Sequence, residues 1–468
     1  MNKFSLRKKL LPSVMALGLA SAMTFSGSAH AIQVAADGMG QVLLAPIYQA
    51  LPGQSTLITL INTSTTHAVK VKAVFRSKKH CIEVLDFLIY LSPGDVWRGT
   101  VYNKDGQAYL SSNDDSIRNL PNTDSFAVLN PVDFPLFDQR LETGSASTDT
   151  DDDINEMGII EFIGHYSVSG TVVPGVGSPV TIRQGMDKFD LARIFDMGVQ
   201  EIELMNPLLC SSTAIPPGIA SDTCPVRVND PANLKLRGNI EIITGTGRMA
   251  YQMTALDGTV GTPVIANPSL NIDVSTETAI GDAWGYNTLF VGYDNILEIE
   301  EAIATSVAVG SYENGLSYEG GNGLSRYTGI QVSFPTKYRH RGDVCKTFAI
   351  VDSFSGQYYP PMTLNGDVKF QNRSFDNQEN SLTVGGSSVS GGADAVVNAL
   401  TDCSNMLITP DLFNYDSGAY HFNLLATTSG SGSCQYAGVP ALVQTYKYIA
   451  NSSGGDAEQH MFVPASTR

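Results

Sequence analysis

The densest set of hard oxygen ligands in the chain falls between Asp149 and Glu156, where Asp149, Asp151, Asp152, Asp153, Asn155 and Glu156 follow almost without interruption. A loop of carboxylates and amides is what Ca²⁺ requires, because the ion gathers several oxygens at once in flexible geometry. The tract does not follow an EF-hand: Ile154 stands where the turn glycine belongs and Ile160 where the bidentate glutamate belongs. Asp149, Asp151, Asp153 and Glu156 are the calcium candidates, set against the commoner outcome of a solvated acidic loop. No other cofactor is expected.

Catalytic equipment is hard to find. His67, His80, His165, His340, His421 and His460 form no HExxH and no pair four residues apart, which excludes a zinc-protease helix. No GxSxG elbow occurs, and "GGSSVSGG" at Gly385–Gly392 reads as a flexible loop. "GTGR" at Gly245–Arg248 lacks the ending of a phosphate loop. The tripeptide Arg341-Gly342-Asp343 is too short to specify adhesion. Tyr358 and Tyr359 have rings that could stack on sugars, although a packed aromatic pair is the simpler account. An enzyme is not expected.

The six cysteines are Cys81, Cys210, Cys224, Cys345, Cys403 and Cys434. An even number in an exported chain suggests disulfides, with fifteen pairings open. "CSSTAIPPGIASDTC" makes Cys210–Cys224 a natural local bridge, worth on the order of 3 kcal/mol in the chain-entropy account. Proximity suggests Cys403 with Cys434, which leaves Cys81 with Cys345.

Export is written into the first 31 residues. Lys3, Arg7, Lys8 and Lys9 precede an apolar run and then Ala29-His30-Ala31, the three parts of a secretory leader cleaved before Ile32. The net charge of −17 becomes −21 once those four bases are gone (46 acidic against 25 basic residues). Such a surface repels nucleic acid. No later run is apolar for long enough to cross a bilayer as a helix. The expected location is outside the cell or on the surface of a bacterium.

The elements that would position any site are strands. In "HAVKVKAVFRS", Val69, Val71, Ala73 and Phe75 alternate with Lys70, Lys72, Val74 and Arg76, which gives one apolar face. "EVLDFLIYL" repeats the stripe through Leu85, Phe87, Ile89 and Leu91. "SPGD" suits a type II turn, and "VWRGTV" returns with Trp97 inward. Half-buried strands need a second sheet to cover them, so the expectation is a mainly β, antiparallel, immunoglobulin-like sandwich. Long loop insertions and two short helices, in "MDKFDLARIFDMG" and "DNILEIEEAIATS", complete it. In the first helix, Phe189, Ala192, Ile194 and Phe195 form the expected apolar face.

The chain divides into sandwich strands at 32–125, an acidic polar loop at 126–156, a β-rich middle at 157–325, and C-terminal strands at 326–468 that complete the same sandwich. The "NTS" turn, "EVLDFLIYLSPGDVW", "LKLRGNIEII" and "VSFPTKY" together resemble a group of uncharacterised exported cell-surface proteins of proteobacteria. That resemblance implies a β-rich body outside the cell and transfers no catalytic residue.

Pro46 interrupts the apolar segment Gln41–Tyr48, and a proline cannot donate to a ladder, so the segment is expected at an edge or a bulge. As an edge, Gln41, Val42, Leu43, Leu44, Ile47 and Tyr48 would pair with a neighbouring copy, as would Leu442–Ala450. The leading expectation is a self-associating structural protein forming a filament, surface layer or matrix. The alternative is an adhesin or glycan-binding module, with calcium as an optional partner.

Overall fold

The structure, a computed structural model, describes residues 32–78, 83–118, 132–136, 155–172, 178–195, 234–244 and 247–258. It also describes residues 264, 298, 299, 302 and 303, and the later segments 314–317, 324–336, 371–376, 381–382, 395–396, 403–408, 417–423, 441–451 and 459–462.

The strands fall into two large antiparallel sheets. Sheet I runs β1 (Ile32–Val34), β15 (Thr254–Gly258), β2 (Val42–Gln49), β10 (Met157–Val168), β4 (Ala68–Ser77), β5 (Glu83–Leu91) and β8 (Ile117–Arg118). Sheet II runs β14 (Gly247–Gln252), β13 (Leu236–Thr244), β3 (Ser55–Asn62), β6 (Val96–Lys104), β7 (Gln107–Ser112) and β9 (Val132–Pro135). A small hairpin, β11 (Thr171–Val172) with β12 (Val180–Thr181), leads into helix α1 (Lys188–Phe195).

Among the described residues, the C-terminal strands pair with neither of these sheets and build others. One runs β21 (Ser404–Ile408), β17 (Leu324–Ser333), β23 (Leu442–Asn451) and β24 (Gln459–Phe462). Another runs β16 (Asn314–Ser317), β22 (Ser417–Asn423), β18 (Gln371–Asp376) and β19 (Ser381–Leu382), with β20 (Ala395–Val396) also on β18. The protein is thus mainly β with antiparallel sheets, as the alternating pattern predicts.

Sheets I and II face each other across one core. Val69, Val71, Ala73, Phe75, Phe87 and Phe162 enter from sheet I, and Ile58, Leu60, Trp97, Leu110, Ile240 and Ile242 from sheet II. An aromatic chain crosses the interface. Tyr48 meets Phe75 edge-on with centroids 5.6 Å apart, Phe75 stacks on Phe87 at 6.1 Å, and Trp97 lies 5.8 Å from Phe87 and 6.0 Å from Phe162. Trp97 points inward as expected. Its indole occupies the space that a side chain at position 99 would fill, so Gly99 is the residue that admits it.

The SPGD turn forms as read: Asp95 N–H donates to the Ser92 carbonyl at 3.1 Å, and Gly94 takes φ +71°, which a type II turn demands at that place. The Asn62 side-chain amide donates to the carbonyls of His67 and Ser92 at 2.8 and 2.9 Å, tying the NTS loop to this turn.

Three expectations change. First, β4 is not half-buried: all ten of its residues are buried, because sheet I is covered on its outer face as well. One cover is Leu191, Ala192, Ile194 and Phe195 of α1 with Met186 and Ile182, packed on Leu88 and Tyr90. The other is Val264, Ile299, Ile303 and Leu442, packed on Val42, Leu44, Val74 and Ile163.

Second, Phe189 is 61% exposed, and the buried face of α1 carries Lys188 in its place, bonded to the Tyr90 carbonyl, Asp95 and Ser116. Asp187 caps that helix by accepting the Phe189 amide at 2.7 Å. Of the second expected helix, Glu298, Ile299, Ala302 and Ile303 are helical.

Third, Gln41–Tyr48 is not an open edge. β2 lies inside sheet I, paired with β15 through Val42–Leu44 and with β10 through Val42–Gln49. Gln41, Val42, Leu43, Leu44, Ile47 and Tyr48 are all buried. The proline sits at a bulge instead: register to β10 slips between Ala45, opposite Ile160, and Tyr48, opposite Gly158. Leu442–Ala450 lies within β23, likewise interior between β17 and β24.

Among the described helices none is long and apolar enough to cross a membrane.

Candidate functional site

The calcium tract does not assemble among the described residues. Asp149, Asp151 and Asp153 lie outside them, and Glu156 is buried, accepting the Asn103 amide at 2.5 Å. The neighbouring Asn155 bonds the Leu136 carbonyl and, through its own carbonyl, the Tyr48 hydroxyl. Glu156 therefore anchors the return of a loop. Cys403 carries no free thiol, and Cys81, Cys210, Cys224, Cys345 and Cys434 lie outside the described residues, as do Arg341–Asp343, Tyr358 and Tyr359. His67 is buried, with Nδ1 at 2.9 Å from the Thr66 hydroxyl.

Two charged constellations stand out. The first surrounds Val74 on the covered face of sheet I. Asp86 on β5 and Glu161 on β10 lie directly across from Val74, while Lys72 and Arg76 flank it two residues away on β4. Lys72 Nζ approaches Asp86 Oδ2 at 2.7 Å, and Arg76 Nε bonds Glu161 Oε2 at 3.0 Å, with all four side chains at most 1% exposed. The Asp86–Lys72 contact is electrostatic more than directional, since neither Asp86 oxygen has a well-aligned hydrogen bond. Lys70 lies over the Tyr90 ring at 5.9 Å. The quartet balances its charge and is closed to solvent, so it has no path to a ligand. A buried, charge-balanced arrangement of this kind is suited to fixing strand register.

The second constellation is open. Period-two alternation sends Thr59, Arg98, Thr100, Asn239, Glu241 and Arg248 to the outer face of sheet II, where they line a furrow of about 610 Å³. Cross-strand register sets them in rows. Gln252, Asn239, Thr59 and Arg98 form one row across four strands, and Ala250, Glu241, Leu57, Thr100, Ser111 and Asp133 the next across six. Arg248 pairs with Glu241 at 2.5 Å. Arg98 and Arg237 are exposed and have no acidic partner among the described residues.

An aromatic platform adjoins the furrow. Tyr102 and Tyr109 lie opposite each other with centroids 6.2 Å apart, and Lys104 Nζ sits 4.7 Å over the Tyr109 ring. The Tyr102 hydroxyl donates to Asp133 Oδ1 at 2.6 Å, and Lys104 donates to Oδ2 at 3.0 Å. The hydrogen bond from Tyr102, then that from Lys104, holds the Asp133 carboxyl below its ordinary value. The same bonds to Asp133 raise Tyr102 and Lys104 above theirs. Around neutral pH the group is therefore a fixed carboxylate, a protonated phenol and an ammonium. This face offers donors, acceptors and ring faces in fixed positions.

Sequence reasoning passed over this face because its members come from six separate strands, β14, β13, β3, β6, β7 and β9. The usable signal was the polar half of the alternation in "TLITLI", "VWRGTV" and "LRGNIEI". A comparison with known protein families, with curated proteins and with solved structures finds no match.

Proposed function

We propose that this chain is an exported, non-catalytic binding protein in which an immunoglobulin-like sandwich holds an open sheet face against extended polysaccharide at the cell surface. The observation that supports it most is the contrast between the two sheets. Sheet I is covered on both faces, even over its charges, whereas the outer face of sheet II keeps a polar furrow beside two tyrosines. Sugars present hydroxyls for side-chain hydrogen bonds and apolar ring faces for aromatic contact, and this face supplies both.

Self-association by strand addition has less support. At the edges of sheets I and II, β1, β8 and β9 are two to four residues long, β9 ends on Pro135, and β24 runs alongside β14. Short or covered edges are how sheets avoid pairing with neighbours.

The test is a glycan array probed with the mature chain, repeated with Ala250→Trp, which fills the furrow from an exposed position. Binding by the parent that the variant loses, at unchanged thermal stability and with or without a chelator, is the expected result. Absence of binding together with concentration-dependent fibres in electron micrographs would overturn it in favour of self-association.

A further inference from the structure

We infer that the polymer held on this face carries carboxylates, and that Arg98 is the residue that reads them; this rests on the polysaccharide reading above. The warrant is charge placement. The whole chain is strongly acidic, at −17, and the cations that the described residues show in sheet II or close by are matched by acids, with two exceptions. Lys104 is matched by Asp133, Arg248 by Glu241 and Lys235 by Asp257.

Arg98 breaks that rule. It is exposed at the head of the row Arg98–Thr59–Asn239–Gln252 and lines the furrow without an acid to pair with, and Arg237 lies two positions along β13 from Asn239 with none either. A guanidinium presents two parallel N–H groups to a carboxylate, a fit that a hydroxyl cannot reproduce. The Thr59 hydroxyl and the Asn239 amide then continue the row over about 10 Å at ordinary strand spacing, a track for sugar hydroxyls that ends at Gln252, whose amide donates to the Gly38 carbonyl. One guanidinium matches one uronate. Uronates spaced among neutral sugars meet less of the repulsion from the rest of the acidic surface than a charge on every unit would, as in a nucleic acid. The ligand chemistry is thus an extended polysaccharide in which uronates alternate with neutral sugars.

Affinity electrophoresis in gels containing hyaluronan or heparosan, in which uronates alternate with neutral sugars, against gels containing a neutral glucan or mannan, tests this. The parent chain is expected to be retarded by the uronate polymers, with retardation falling as salt rises. Arg98→Ala should weaken uronate binding about tenfold or more, the loss typical of a charge-assisted contact, and Arg98→Lys should recover only part of it. Arg98 is exposed, so melting temperatures should match. Equal retardation of parent and Arg98→Ala by the uronate polymers overturns the inference. Retardation by the neutral polymers alone, lost in Ala250→Trp, overturns it while leaving the polysaccharide reading in place. Retardation by none of the polymers overturns both.

Discussion

The hydroxyl of Tyr251 on β14 bonds both backbone groups of Ile47 on β2, donating to its carbonyl and accepting from its amide. Ile47 stands in the bulge that Pro46 imposes, where the ladder to β10 is interrupted, so its polar groups need partners from elsewhere. A side chain from the opposite sheet supplies them. The Pro46 carbonyl is served in the same way, by Gln331 at 2.7 Å, Ser333 at 2.5 Å and Ser404 at 3.3 Å. The bulge thus joins three sheets at one point.

Tyr251→Phe tests that joint. It removes one atom and leaves a buried N–H and C=O without their partner, so stability should fall by about 1–3 kcal/mol. A urea titration should show a lower midpoint with unchanged slope. An unchanged midpoint would mean that the Ile47 groups find other partners.

The quartet around Val74 predicts an asymmetry. Asp86→Ala removes the carboxylate that Lys72 Nζ faces at 2.7 Å inside a buried cluster and should cost about 3–5 kcal/mol, enough to threaten folding. The double variant Asp86→Leu with Lys72→Met removes both charges and should recover most of the loss. Melting curves of the single and double variants separate these outcomes. A double variant as unstable as the single one would show that the pair does more than balance charge.

How much of this was legible beforehand depends on what each signal measures. Alternation reports the direction of side chains, and it placed Val69, Phe75, Phe87 and Trp97 in the core correctly. It does not report what lies beyond a face. Lys70, Lys72 and Arg76 read as a solvated face, yet α1 and the segment around Ile299 and Ile303 cover it, contacts formed from more than a hundred residues away in sequence. Pro46 carried a true signal for a bulge and a misleading one for an edge, because the missing donor is tolerated once Tyr251 repairs its neighbour. Lys188 was invisible as an anchor, since its partner Asp95 belongs to a turn that pattern reading treats as finished once it closes. The furrowed face of sheet II escaped for the same reason: register, which pairs Thr59 with Arg98 and Asn239, is a property of the assembled sheet.

Acid should act through Asp95. Burial raises this carboxyl, but the hydrogen bond and charge of Lys188, with the Ser92 and Val96 amides, outweigh it and leave the group below its ordinary 3.8. A depressed carboxyl stabilises the fold above its unfolded value and loses that contribution as pH falls through the folded value. The loss should therefore lie below about pH 4. Since Lys188 belongs to α1, the first event should be release of that helix, seen as protease cleavage near Phe189. Asp95→Asn should show this cleavage at neutral pH and respond less to acid. Equal acid sensitivity in parent and variant would assign the transition to other carboxylates.

The last expectation concerns Cys403. Its amide donates to the Lys78 carbonyl at 2.7 Å, and its carbonyl accepts from Phe334 at 2.8 Å, so β21 is held against the end of β4. Cys81 lies three residues beyond Lys78, in the four-residue connection to Glu83, and three residues span at most about 10 Å. A disulfide needs Cα atoms about 4.4–6.8 Å apart, which that reach includes. Sequence proximity favoured Cys434 as the partner; backbone proximity favours Cys81. Closure of so long a loop would contribute on the order of 5 kcal/mol in the chain-entropy account and would clamp the C-terminal sheet to the sandwich. Peptide mapping without reduction should yield a Cys81–Cys403 cross-linked peptide, and Cys81→Ser should lower the melting temperature and expose the 403–408 segment to protease. A cross-link between Cys403 and Cys434 would show that the hydrogen bond to Lys78 holds the strands together without a covalent tie.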